Sequence, residues 1–355
     1  MTTPPSPPAP HPTWMRAEIH EQPEALERTL QALAPLRAEI AALAAPTSLI
    51  LLIGRGSSDN AATYGRYLLE TQAQRLAALA APSVATLYDA QLDMRNVLAV
   101  AVSQSGDTEE IVETLAWART CGARTMSITN RGESTLAATA DLALVTQAGV
   151  ERAVPATKTY TTQLAALATV AAALSNDPAL DAGLRAAPAA VAGMLDRANS
   201  AGDAAALLTD TERLVVTGRG IVYGTALELA LKLEEACYVA CLGLSHADLQ
   251  HGPLALLDDR TPLLVVAADS GPAASGARHL AQRARAHGCT VIGIGAHPTL
   301  AELCTHAIRG PELPESLAPL GLIVPGQLIV EQLARARGIN PDAPRNLNKV
   351  TQTVA

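Results

Sequence analysis

Two glycine turns recur at one spacing and restrict the fold more than any other feature of this chain. Gly54-Arg55-Gly56 and Gly218-Arg219-Gly220 each close an apolar stretch, 164 positions apart. Ser105-Gly106 and Ser270-Gly271 each close a second apolar stretch, 165 positions apart. Two independent landmarks at nearly one offset indicate an internal duplication. The runs before them are rich in Val, Leu, Ile and Ala, as buried parallel strands are.

Strand patterns fall at 48–53, 84–87, 97–102, 125–128, 142–145, 213–217, 263–267, 290–294 and 306–309. Helical patterns fall at 59–70, 108–120, 158–174, 224–238, 275–287 and 326–337. Such alternation predicts parallel sheets covered by helices on both faces, a three-layer α/β architecture. Residues 15–44, broken by Pro23 and Pro35, read as two or three short helices, and 176–205 as a helical connection. The chain therefore divides into a proline-rich, disordered tail at 1–13, N-terminal helices at 14–46, domains at 47–190 and 200–340, and a C-terminal segment at 341–355.

Composition narrows the function classes. The 355 residues contain no Phe, so Ala, Leu, Val and Ile must fill the cores. A formal net charge of −8 without a Lys/Arg run argues against nucleic-acid binding. No apolar run is long enough to span a bilayer, and no signal peptide is visible. Five scattered Cys fit reduced thiols, so the expected location is cytoplasmic.

The stretch 97–108 carries the clearest binding chemistry. A strand pattern is followed by Ser103-Gln104-Ser105-Gly106-Asp107-Thr108 and then by a helix. Backbone N–H groups, the helix dipole and these hydroxyls suit a phosphate. An ordinary capped turn uses the same residues, so the stretch alone does not decide. The second copy has Ala268-Asp269-Ser270 instead, which assigns the anion to the first domain. A dinucleotide fingerprint would need a third glycine where Asp59 stands. Lys232 and Glu235 share a helix face, as exposed ion pairs also do. His251 stands beside Gly252-Pro253, in a turn where it could shuttle protons. His246, Asp248 and His251 could be metal ligands, but no ligand spacing closes around them.

Taken together, these motifs resemble the sugar isomerase (SIS) family. The resemblance is to the isomerase halves of glucosamine-6-phosphate synthases and to glucosamine-6-phosphate deaminases. It runs from about Met15 to Thr353 through Met15-Arg16-Ala17-Glu18, Gly56-Ser57-Ser58, 103–108, Thr157-Lys158, Ala230-Leu231-Lys232, His251-Gly252-Pro253 and Pro344-Arg345-Asn346-Leu347. It implies two tandem α/β/α SIS domains with flavodoxin-like sheets, and a homodimer with shared active sites. It implies a sugar phosphate held by Gly56, Ser57, Ser58, Ser103, Gln104, Ser105 and Thr108, with Val154 lining the pocket. Glu235 matches the acid/base acting at C1 and C2, with Lys232 beside it; His251 matches a ring-opening histidine supplied by the neighbouring subunit. Lys349 matches a lysine that forms an imine with the open-chain ketose.

No cofactor and no metal are implied. Departures stand at Ala156, Leu242 and Asp248, where relatives carry Ser, Glu and Glu. A proline-rich start in place of a glutaminase domain favours deamination of glucosamine 6-phosphate to fructose 6-phosphate and ammonia. Ammonia-dependent synthesis, action on galactosamine or fructosamine 6-phosphate, and a non-catalytic phosphosugar sensor are the alternatives.

Overall fold

The computed structural model describes residues 12–349 and Gln352. Most of the expected tail (residues 1–11), together with Val350, Thr351 and 353–355, lies outside the described residues. The elements run α1 (Trp14–His20), α2 (Gln22–Leu33), α3 (Arg37–Ala44), β1 (Leu49–Ile53), α4 (Ser57–Thr71), β2 (Ala77–Leu79), α5 (Ser83–Thr86) and β3 (Val97–Val102). They continue with α6 (Glu109–Thr120), β4 (Arg124–Thr129), α7 (Thr135–Thr139), β5 (Leu142–Val145), α8 (Lys158–Ser175), α9 (Pro178–Leu195) and α10 (Ala198–Ala206). The second half holds β6 (Arg213–Gly218), α11 (Tyr223–Cys237), β7 (Ala240–Ser245), α12 (His246–Gln250), β8 (Leu263–Val266) and α13 (Ala274–Ala286). It closes with β9 (Val291–Ile294), α14 (Pro298–Ala301), β10 (His306–Ile308) and α15 (Pro319–Ala336).

Two parallel five-stranded sheets result, ordered β2-β1-β3-β4-β5 and β10-β9-β8-β6-β7. Read from its own first strand, each has the order 2-1-3-4-5, so the duplication extends to topology. In such sheets the crevice lies at the carboxyl ends of the first and third strands, where the winding direction reverses. Those ends carry Gly54 and Ser103 in one sheet, Arg219 and Ala267 in the other.

The described chain forms two compact units. One contains the first sheet, in residues 23–151 and 158–188; the other contains the second sheet, in residues up to 22, 152–157 and 189–349. In the first unit α8 is buried over nearly its whole length and packs on α3 and α4. In the second, α15 is buried all round and packs on α1, α10 and α11. Helices without a polar face belong in an interior.

Three expectations need correction. Residues 84–87 are not a strand: α5 occupies Ser83–Thr86, and the edge strand is Ala77–Leu79. Pro82 at the N-cap of α5 supplies the helical φ that starts this turn. β7 was not expected, because Gly243 and alternating exposure weaken its strand signal. α15 starts at Pro319 rather than Gly326 and continues through Pro325. A proline inside a helix forfeits a hydrogen bond, and burial of the surrounding apolar residues outweighs that loss.

Thr13, placed in the tail by composition, is buried and caps α1, and its hydroxyl donates to Glu331 (2.9 Å). The Asp342 carboxylate accepts from Trp14 N–H (2.9 Å) and Met15 N–H (2.8 Å), satisfying two free donors of the same helix end. Replacing Asp342 with Ala is expected to lower stability by about 1–2 kcal/mol, the scale of a lost helix cap. Denaturant unfolding checks this, and an unchanged midpoint would show that the cap is replaced by water at no cost.

Candidate functional site

The unit of the first sheet holds the hydroxyl-rich turns. Gly56 takes positive φ (53°) and caps α4, so Ser57 and Ser58 open that helix. Ser58 is buried, and its Oγ accepts from Gln163 Nε2 (3.1 Å) on α8. At the end of β3, Ser103 Oγ lies 3.4 Å from Thr108 Oγ1 and accepts the Gly106 N–H (3.3 Å). Ser105 Oγ accepts the Asp107 N–H (3.2 Å). The Gln104 carbonyl accepts the Asn130 N–H (3.1 Å), which ties the turn to the end of β4. Thr108 is the N-cap of α6, and its side chain makes no capping bond.

Gly106 has φ 68°, and a Cβ there would fall 2.2 Å from Ser134 Oγ. Glycine is required on both counts. Two ion pairs that sequence reasoning missed brace these turns. Arg55 forks onto Glu110 (2.9 and 2.8 Å), joining the β1 turn to the first turn of α6. Arg131 pairs with Asp107 (2.5 Å). Gln352 adds a contact, accepting the Glu109 N–H (3.0 Å) at the start of α6. Ser57, Ser58, Ser103, Gln104, Ser105 and Thr108 are thus gathered in one unit, at its switch-point crevice.

The unit of the second sheet holds the titratable groups. Glu228, Lys232 and Glu235 lie on one face of α11. Lys232 is buried (1% exposed) and pairs with Glu228 at 3.5 Å and, more closely, with Glu235. Glu228 is also fully buried, whereas the Glu235 side chain keeps 22% of its surface. The i−4 and i+3 positions around Lys232 were the available signal for Glu228. Glu235 and Glu234 line an open cleft of about 580 Å³ with Leu231, Tyr238, Arg345 and Asn346. Burial holds the Glu234 carboxyl above its usual pKa, and the neighbouring Glu235 charge adds to this.

Lys349 and Val154 are brought together near this unit's N-terminal helix. Lys349 Nζ donates to Ala153 O (2.6 Å), and Val154 N donates to Asp342 O (2.9 Å). Glu18, buried on α1, accepts from the backbone N–H groups of Arg152 and Ala153. His251 is exposed at the end of α12, before Gly252 at φ 130°, and does not line the cleft of Glu235. His246 is buried instead, and Asp248 returns to Ser245 in a helix cap (2.8 Å). Among the described residues no three His, Cys, Asp or Glu side chains converge as a metal site.

The SIS domain model matches residues 45–173 and 207–336. The chain belongs to the SIS family. Over 342 residues this SIS protein is 35% identical to the isomerizing glutamine–fructose-6-phosphate aminotransferase of Pyrococcus horikoshii, covering 95% of the chain and 57% of that relative. It thus spans little more than half the length of such relatives. The C-terminal domain of glucosamine-fructose-6-phosphate aminotransferase from Francisella tularensis superposes with a TM-score of 0.86 at 29% identity, covering 93% of the chain and 98% of that domain. A glucosamine-6-phosphate deaminase from Thermotoga maritima shares the fold, with a TM-score of 0.79, 24% identity and 96% and 100% of the two chains covered.

His246 yields a pH prediction. Burial, and next the Arg219 charge, push its pKa from 6.5 down to about 4. Above pH 6.5 the ring is neutral whether the chain is folded or not. Between pH 6.5 and 4 the unfolded chain takes up a proton that the native state resists, so stability falls with pH. His246→Gln is expected to flatten this decline by up to about 3 kcal/mol at pH 4, from the size of the shift. Urea unfolding at stepped pH checks it, and equal slopes for both proteins would contradict it.

Proposed function

We propose that this SIS protein is a phosphosugar aldose–ketose isomerase that deaminates glucosamine 6-phosphate to fructose 6-phosphate and ammonia. The observation that carries this is the Lys232–Glu235 pair at the wall of an open cleft. Binding a sugar needs no acid/base, whereas moving a proton between neighbouring carbons needs one, and the partly exposed Glu235 carboxylate held by Lys232 is suited to that role.

The hydroxyls of Ser57, Ser58, Ser103, Ser105 and Thr108, with the Gln104 amide, would hold the phosphate. A histidine, His251 of a neighbouring subunit in a homodimer, assists opening of the pyranose. Glu235 takes the proton from C2 of the open-chain aldose and returns it to C1, while the C1 oxygen takes up a proton and the amine nitrogen gives one up, leaving an imine at C2. The Lys349 amine attacks that imine, and ammonia departs as the lysine imine forms. Water then releases fructose 6-phosphate and restores the free amine. Lys232 orients Glu235 and balances its charge.

The similarity to isomerizing aminotransferases supports a second reading, in which the same steps run toward glucosamine 6-phosphate from fructose 6-phosphate and ammonia. Product analysis separates the two. Wild-type protein given glucosamine 6-phosphate is expected to release fructose 6-phosphate and ammonia in equal amounts. Glu235→Gln is expected to lower turnover by at least 10²-fold, the lower range for a lost acid/base. Mixed Glu235→Gln and His251→Ala subunits are expected to regain part of the activity. Full activity in Glu235→Gln would sink the assignment.

A further inference from the structure

We propose that Tyr238 docks the C-terminal segment onto α11 and thereby sets where Lys349 presents its amine. The inference rests on the reading of Glu235 and Lys349 given above. Tyr238 follows the last residue of α11 and has a left-handed backbone, with φ 55° and ψ 36°. Glycine is the ordinary occupant of such a helix end, and an aromatic side chain is unusual there.

The side chain explains the exception. The Tyr238 hydroxyl accepts the backbone N–H of Arg345 at 2.8 Å. The Arg345 guanidinium lies over the Tyr238 ring, 4.2 Å from its centroid. One side chain therefore holds one residue of the segment by a polar and a cation–π contact, which fixes both position and direction. The helix end beneath it is closed as well, because Arg337 donates to Cys237 O (3.1 Å). Tyr238 and Arg345 line the same cleft as Glu235. Lys349 follows Arg345 by four residues and ends on Ala153 O at 2.6 Å. Four residues of chain reach at most about 14 Å, so the Arg345 anchor bounds where the amine can go.

Release of this anchor would dilute the Lys349 amine around the C2 imine, and effective concentration falls steeply with lost orientation. The phosphate-holding serines belong to other turns and are untouched. A loss in kcat with KM preserved is therefore expected.

The test compares wild type with Tyr238→Ala, Tyr238→Phe and Arg345→Ala, using hydrogen exchange of peptides covering 341–349 and turnover of glucosamine 6-phosphate. In Tyr238→Ala, exchange in that segment is expected to accelerate by about ten-fold or more. Its kcat is expected to fall by about 10–10², with KM within about two-fold. Tyr238→Phe keeps the ring and loses the acceptor, and Arg345→Ala keeps the N–H and loses the cation, so each shows a smaller change of the same kind. Arg345→Ala leaves α11 intact and serves if Tyr238→Ala does not fold. Unchanged exchange in both alanine variants overturns the docking role. Faster exchange with full kcat overturns the positioning of Lys349. A wild type that turns nothing over, with faster exchange in the variants, overturns the catalytic reading and supports docking.

Discussion

Lys232 brings an ammonium group into the interior of α11's unit, and much of that unit answers to it. A buried charge without partners costs several kcal/mol. Here two carboxylates from the same helix face it, Glu228 and Glu235. Glu228 is fully buried beside the lysine. Glu235 keeps part of its surface, so the same ion pair orients it and leaves it able to meet a second group. The helix that carries the three residues is packed on α15 and on β6 and β7, and Arg337 caps its end.

The duplicated sheets have kept their winding and diverged in their crevices. In the first copy, the hydroxyl oxygens of Ser103 and Ser105 accept the turn's own N–H groups, which leaves their O–H donors to face the crevice, and Thr108 caps α6. Arg55–Glu110 ties the turn after β1 to α6, and Arg131–Asp107 ties the turn after β3 to the end of β4. In the second copy the corresponding turn has Ala268, and a cavity of only about 10 Å³ remains among Arg219, His246, Ser270 and Glu315. That is room for a water molecule and no more. The Glu315 carboxylate sits so close to Gly271 that a Cβ there would fall 2.2 Å from it. The protein's own carboxylate thus occupies the second crevice, and its burial holds the pKa up.

The sheets were legible because parallel strands buried on both faces read as apolar runs. The duplicated landmarks placed β1, β3, β6 and β8 within a residue or two. Edge strands were less legible: β2 is three residues long, and β7 alternates exposed and half-buried positions around Gly243. The hydroxyl turns were visible because their residues are contiguous. Lys232 and Glu235 were visible as a pair, while the depth of the lysine was not, since i,i+3 spacing is the same in a solvated pair. His246 and His251 are five positions apart and differ completely in burial, because His246 opens α12 directly after β7 whereas His251 follows its last residue.

Least legible of all were the contacts that span the chain. Thr13 meets Glu331, Asp342 meets Trp14 and Met15, and Glu18 meets Arg152 and Ala153. None has a local pattern, because a carboxylate that caps a distant helix looks like any surface Asp or Glu. They form one connected lattice: Asp342 also accepts Val154 N–H through its carbonyl, and Lys349 ends on Ala153 O. The carbonyl that holds Lys349 therefore belongs to a segment positioned by Glu18 on α1. Where Lys349 rests thus depends on a carboxylate near the other end of the chain as well as on the Tyr238 anchor. The motif at 15–18 thereby fixes, through Glu18, the backbone on which the C-terminal lysine rests.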